Sequence, residues 1–320
     1  MPAPPDTGPY SDIMFSVVIP LFNKRDLIGE TIKGVLAQSY TAFELVVVND
    51  GSTDGSDDVV AAFADPRIRL VQQQNQGAAA ARNTGWSAAR NPFVAFLDGD
   101  DQWDADYLAT VAALVRDFPD CGAYGMGYRR RLSDDKKVGN RLETSLQRSG
   151  RNVIPDYFLA ATCGDQPFYT SSVCIRREVI AYLNGFQTGI THGEDLDLWA
   201  RIALEFLIAF DPVEKVTYRL DASNRAMNKR PPLGWVFRRS LEAFKLKNPT
   251  LHVSNYLDQC VEHIELYHAS LNLGKISGRH IRAAMGNISW ERYPTRKLKI
   301  MIATFIPSAL SNRVMAWSRR

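Results

Sequence analysis

The stretch Phe93 to Asp104 reads FVAFLDGDDQWD. Its apolar run climbs to Leu97, and three carboxylates follow at once: Asp98, Asp100 and Asp101. A short apolar run that ends in a turn signal is the pattern of a buried strand. Gly99 lets the backbone turn sharply where the acids begin. Like charges this close repel one another, and taking each out of water costs on the order of several kcal/mol. A divalent cation among them removes the conflict, and hard carboxylate oxygens suit Mg²⁺ or Mn²⁺. Mg²⁺ is commonly held by one or two carboxylates together with substrate phosphates, so the stretch points to a nucleoside diphosphate. The same residues also read as a plain polar turn in which Asp98 or Asp101 caps the next helix.

On either side of this stretch, apolar runs alternate with helical patterns. Phe15 to Leu21 (FSVVIPL), Phe43 to Asn49 (FELVVVN) and Ile68 to Val71 read as strands. Leu27, Ile28, Ile32, Val35 and Leu36 recur at helical spacing after the first strand. A second helix runs through Val59, Val60 and Phe63, an Ala-rich third covers Gly77 to Arg90, and a fourth covers Ala105 to Phe118. Strands alternating with helices in this way predict an α/β fold whose parallel sheet is covered on its faces. In such sheets ligands bind beyond the carboxyl ends of the strands, which is where Asp50 and Asp98 to Asp101 fall. No GxGxxG follows the first strand, and there is no GxxxxGK[ST], so dinucleotide and P-loop readings lose their main support.

Residues 128 to 152 are polar and basic and read as a mobile loop or an insertion with little structure. Val173 to Ile175 is a short strand candidate after Thr170-Ser171-Ser172. Asn184-Gly185-Phe186 reads as a turn. His192-Gly193-Glu194-Asp195 then leads into a helix over Leu196 to Leu204, where the acids sit favourably at the positive end of the helix dipole.

Charge is unevenly spread. From Arg225 to the end there are 17 Lys+Arg against 5 Asp+Glu, whereas the first 224 residues carry 21 against 30. A basic tail on an acidic first part suits an anionic membrane surface or nucleic acid. No nucleic-acid-binding motif accompanies it, so no nucleic-acid partner is expected. The four cysteines are scattered without a CxxC, which argues against a zinc site or disulfide framework and fits a reducing, cytoplasmic compartment. Residues 1–12 are Pro-rich and read as a flexible tail rather than a signal peptide. No stretch has the roughly 20 apolar residues of a membrane-spanning helix. Residues 225–320 read as a basic helical region. Leu233 to Leu273 suits helices packed on the rest of the chain or on a second subunit. Leu298 to Arg320, with Arg292, Arg296, Lys297 and Lys299 around its start, suits peripheral contact with the inner face of a membrane.

These signals coincide with one known pattern. FSVVIPLFNK (Phe15 to Lys24), FELVVVNDGSTDGS (Phe43 to Ser56), NQGAAAARNTG (Asn75 to Gly85), FVAFLDGDDQW (Phe93 to Trp103), and NGF followed by GEDLDLWAR (Asn184 to Arg201) occur in the order found in glycosyltransferase family 2. The chain resembles those inverting enzymes over roughly residues 15 to 220. The resemblance implies a GT-A type, Rossmann-like fold with a mostly parallel sheet, a catalytic domain over residues 13–224, and a nucleotide-diphosphate sugar donor. It implies that Pro20 and Asn23 border the nucleotide pocket and that Asp50 accepts a hydrogen bond from the base, with UDP favoured. Arg82 and Asn83 would face the donor. Asp98 would meet the ribose or the groups around the metal. Asp100 would bind Mg²⁺ or Mn²⁺ directly, Asp101 would cap a helix or support the metal site, and Asp195 would be the general base, with His192 a weaker candidate. A saccharide or lipid-linked saccharide in cell-envelope or surface-polysaccharide assembly would be the acceptor.

The chain also departs from the family. Where relatives carry Tyr-Arg-x-His it has Tyr218-Arg219-Leu220-Asp221, which makes Asp221 the candidate replacement for a metal-binding His. Gly-Gly-Phe-Asp becomes Asn184-Gly185-Phe186-Gln187, and no QxxRW is present, so one sugar per encounter is expected. A nucleotidyltransferase would need a glycine-rich basic loop after the first strand, and Phe22 to Asp26 lacks the glycines. A non-catalytic nucleotide-sugar-binding protein would not need Asp100 and Asp195 together.

Overall fold

The computed structural model describes residues 13–132, 136–189 and 193–220, with Asp258, Glu262, Arg282, Leu298, Met301 and Ile302. The chain divides into two compact units, Met1–Ala226 and Met227–Arg320. The first unit is a mixed sheet with helices on its faces, in the strand order β3-β2-β1-β4-β9-β6-β10-β5.

Four parallel strands form one half: β1 (Phe15–Leu21), β2 (Phe43–Asp50), β3 (Ile68–Gln73) and β4 (Phe93–Phe96). Between them run α1 (Arg25–Leu36), α2 (Ser56–Ala61) and α3 (Ala78–Ala88). Both faces are covered, so neighbouring residues such as Val17 and Val18 are equally buried. One face of β1, β2 and β4 (Phe15, Ile19, Leu45, Ala95) packs against Ile28, Ile32 and Val35 of α1 and Val111 and Leu114 of α4 (Tyr107–Asp117). On the other face α3 lies on β1 and β2. It approaches so closely that a Cβ on Gly85 would stand 2.2 Å from Val18 Cγ1, and this explains the run of small residues on α3. Parallel register carries the carboxyl ends of β1, β2 and β4 to one edge.

The other half is mixed. It consists of β5 (Gln102–Trp103), β6 (Ala123–Arg131), β7 (Lys137–Gly139), β8 (Asn152–Val153), β9 (Val173–Arg176) and β10 (Ile208–Arg219). Four short or medium helices belong to it: α5 (Thr144–Arg148), α6 (Tyr157–Thr162), α7 (Arg177–Tyr182) and α8 (Glu194–Glu205). β9 is antiparallel to both β4 and β6, and β6 runs parallel to β10. The expectation of little structure over 128–152 is therefore corrected. This stretch completes β6 and contains β7, α5 and β8. Its basic residues meet acids far away in sequence: Arg129 pairs with Asp104, Arg130 with Asp165 at 2.9 Å, and Arg151 with Asp117 at 2.7 Å and Asp211 at 3.0 Å. Three of its arginines thus serve long-range pairing, while residues such as Lys136, Lys137 and Arg148 remain exposed.

In the second unit the six described residues are helical, with Leu298 and Ile302 exposed. Among the described residues no helix is long and apolar enough to cross a membrane. The expected membrane segment Leu298 to Arg320 and the expected helices over Leu233 to Leu273 lie almost wholly outside the described residues.

Candidate active site

The acids of the opening stretch stand at the carboxyl end of β4. The Asp101 N–H closes the turn on the Asp98 carbonyl at 3.0 Å. Three cationic or hydroxyl-rich environments then separate the three carboxylates. Asp98 Oδ1 accepts from Arg82 Nη2 at 2.9 Å, and its backbone N–H donates to Ser171 Oγ at 3.0 Å. Asp100 Oδ2 accepts from Lys24 Nζ at 2.6 Å. Asp101 is fully buried. It accepts from Tyr169 Oη at 2.9 Å, Ser171 Oγ at 2.6 Å and the Arg219 backbone N–H at 3.1 Å. Burial, then the charges of Asp100 and Asp98, push its carboxyl up to about 8. Asp101 is thus neither a helix cap nor an open ligand; it ties β10 and the Tyr169–Ser172 segment to the acid turn.

Arg82, on α3, is the link to the far side. Its guanidinium donates from Nη2 to Asp98 and from Nη1 to Glu194 Oε1 at 2.7 Å, and Cζ lies 5.5 Å from the Phe186 ring centroid. Burial opposes its charge, but Asp98 and Glu194 more than offset this and hold it firmly protonated. Glu194 and Asp195 open α8 after Gly193, whose φ of 84° suits a residue without a Cβ. Half-buried Asp195 accepts from its neighbour Leu196 N–H at 2.8 Å and from Thr170 Oγ1 at 3.3 Å. Burial first, and Glu194 second, push its carboxyl up to about 6, while Arg82 pulls it down. A carboxylate poised near neutral pH can take a proton from a bound hydroxyl.

The remaining expected residues have more specific settings. Asp50, buried, accepts from Gln73 Nε2 at 2.7 Å and from the backbone N–H groups of Gln76 and Gly77 at 2.8 and 2.9 Å. It therefore shapes the loop into α3, and of the roughly four lone-pair sites of a carboxylate one remains for a ligand. Asn23 adopts φ 51°, which Asn tolerates better than most residues. It receives Thr53 N–H on Oδ1 at 2.8 Å and gives its own N–H to Ser52 Oγ at 3.0 Å, lacing two strand-end loops together. The Pro20 carbonyl lies close over Gly99. The Asn83 amide is spent on the turn at Phe186, donating to its carbonyl at 2.7 Å and accepting from its N–H at 2.9 Å and from Trp86 Nε1 at 2.9 Å. Arg82, Asp98 and Asp195 are brought together, and Asn83 braces the neighbouring turn. His192 and Asp221 lie outside the described residues.

Sequence reasoning missed Lys24, Glu194 as a partner of Arg82, and the Tyr169–Ser172 segment. The signal for the last was three consecutive hydroxyl residues, Thr170 to Ser172, which the structure buries. Among the described residues no group of three or more His, Cys, Asp or Glu could hold a metal. Asp98 and Asp100 nonetheless present hard oxygens at one turn, and each uses one oxygen on a protein cation. That donor set fits a divalent cation completed by substrate phosphates.

A family model described as Glycosyl transferase family 2 matches residues 16–178. The UDP-Glc:alpha-D-GlcNAc-diphosphoundecaprenol beta-1,3-glucosyltransferase WfgD of Escherichia coli is 41% identical over 105 residues, 32% of this chain and 42% of that protein. The chain spans under half the length of the curated relatives it matches. Among solved structures, S. aureus TarS 1–349 in complex with UDP-GlcNAc aligns over 96% of this chain and 92% of its own, at 16% identity and a TM-score of 0.66. The mannosyltransferase PcManGT from Pyrobaculum calidifontis, in complex with GDP-Man and Mn²⁺, aligns over 96% and 88% at 22% identity and a TM-score of 0.55. Both share the fold.

Proposed function

The chain belongs to glycosyltransferase family 2, and from that premise we propose an inverting, metal-dependent, non-processive transferase. It moves a sugar from a nucleotide-diphosphate sugar, with UDP as the nucleotide, to a hydroxyl of a saccharide or lipid-linked saccharide. The setting proposed is cell-envelope polysaccharide assembly at the cytoplasmic face of a membrane, with Leu298 to Arg320 as the surface contact. The name of WfgD, whose acceptor is a diphosphoundecaprenol-linked sugar, supports that class of acceptor.

The observation that carries this reading is the single buried guanidinium of Arg82 joining Asp98 to Glu194, next to Asp195. It ties the acid turn to Glu194, beside Asp195 whose carboxyl is raised to about 6, and this supports Asp195 as the base. In the proposed reaction Asp195 removes the acceptor hydroxyl proton. The hydroxyl oxygen attacks the sugar C1, and the bond from C1 to the diphosphate oxygen breaks with its electron pair going to the leaving phosphate. One base without a protein nucleophile implies a single displacement and inversion at C1. Asp100 would hold Mg²⁺ or Mn²⁺, with Asp221 as a further ligand, and Asp98 would meet the ribose or the groups around the metal. The bound ion would offset charge developing on the leaving diphosphate. Pro20, Asn23 and Asp50 would border the nucleotide, and Arg82 and Asn83 would hold the wall behind the sugar. Orienting the two reactants supplies much of the remaining acceleration.

A thermal-shift panel of UDP, dTDP, GDP, CDP and ADP, with and without Mn²⁺, tests the donor site. A nucleotide at a hundredfold excess over its Kd adds roughly 2.7 kcal/mol to stability. A Mn²⁺-dependent rise in melting temperature with UDP is expected. No rise with any nucleotide would overturn the reading.

A further inference from the structure

Lys24 is absent from the expected site residues, yet its ammonium holds the acid assigned to the metal. Nζ lies 2.6 Å from Asp100 Oδ2, and both side chains are 13% exposed. The stem runs beside the acid turn, where a Cβ on Gly99 would meet Lys24 Cγ at 3.7 Å. Its root is fixed: the Lys24 N–H donates to Ser56 Oγ at 2.8 Å, and its carbonyl accepts from Leu27 and Ile28 N–H. The ammonium is therefore a built counter-charge rather than a roaming surface cation. The contrast with Arg82 is instructive. Arg82 grips two carboxylates with a rigid fork, whereas Lys24 offers a compact charge on a flexible stem. Two cations at one carboxylate repel each other strongly where water is partly excluded.

We propose that Lys24 is a displaceable internal counter-cation that competes with the divalent ion for Asp100. In the donor-free protein the ammonium keeps metal affinity low. The arriving nucleoside diphosphate adds the negative charge that both cations need, so nucleotide and metal bind cooperatively and Lys24 sets the size of that coupling. This rests on the reading of Asp100 as a metal ligand, and the tests separate the two.

Mn²⁺ binding is measured by electron paramagnetic resonance on wild type, Lys24→Met, Lys24→Gln and the neighbouring control Arg25→Met, without nucleotide and then with saturating UDP. Without nucleotide, both Lys24 variants should bind Mn²⁺ about tenfold more tightly, the size of losing one competing charge-assisted hydrogen bond. Arg25, exposed and bonded to Asp54 rather than Asp100, should change affinity by less than about threefold when replaced. In wild type UDP should tighten Mn²⁺ by about tenfold or more, and in the Lys24 variants by less. Unchanged or weaker Mn²⁺ binding in the Lys24 variants overturns the proposal, as does an equal gain in Arg25→Met. Independent binding of UDP and Mn²⁺ to wild type overturns it even if the variants fail to fold. Failure of UDP to bind wild type at all would instead overturn the donor-site reading itself.

Discussion

From β1 to the acid turn after β4 the sheet is parallel; Pro20, Asn23, Asp50, Asp98 and Asp100 stand at its strand ends, and Arg82 and Asn83 on α3. Asp50 is fixed by the loop that follows β3, and Asn23 by the loop after β2. Beyond the acid turn the sheet is mixed, and its one candidate among the described residues, Asp195, depends on distant partners. Thr170 reaches it from another segment, and its neighbour Glu194 is gripped by Arg82, 112 residues away. The proposed nucleotide pocket thus draws mainly on neighbouring strand ends, whereas the proposed base depends on partners brought in from other segments. The division predicts that donor binding and proton transfer can be damaged separately.

The largest expected effect is in the second region. Asp195→Asn should slow sugar transfer by about a thousandfold, within the range for losing a general base, as read from release of nucleoside diphosphate. In the first region, Asp100→Asn should weaken Mn²⁺-dependent UDP binding by about tenfold to a hundredfold, visible as loss of the Mn²⁺ increment in a UDP titration. The pH profile sharpens the contrast. As the proposed base Asp195 would act ionised, and its carboxyl is raised to about 6, so kcat/KM should fall as pH drops through that value. Glu194 is one cause of the rise. Glu194→Gln should therefore move the acid limb to lower pH, and an unmoved limb would exclude Asp195 as the titrating base. The smallest effects are on stability. Gly85→Ala would drive a Cβ into Val18 in the parallel half, and Gly185→Ala would crowd Asn83 Oδ1 at 2.5 Å from a left-handed backbone position in the other. Each should cost roughly 1–3 kcal/mol, read as a lower melting temperature.

The same division governs what could be read from the amino acids. β1 to β4 are short apolar runs closed by turn residues, and each was legible, with β1 running over Phe15–Leu21 as expected. The helix bearing Glu194 and Asp195 was legible from its apolar spacing. β6 was not, because AYGMGYRRR carries two glycines that exist for close approach: a Cβ on Gly125 would strike Phe168, and one on Gly127 the Pro212 carbonyl. β10 contains Asp211, Pro212 and a register shift before Val216, which breaks any alternating pattern. At the site, the acids and Arg82 were readable as residue types. Their pairings were not, since Lys24 with Asp100 and Tyr169 with Asp101 join residues 76 and 68 positions apart.

One titration tests the division most directly: UDP into Asp195→Asn in the presence of Mn²⁺. If donor binding belongs to the parallel half, the variant binds UDP within about twofold of wild type while transfer has collapsed. Binding weakened by about tenfold or more, or transfer at the wild-type rate, would contradict it.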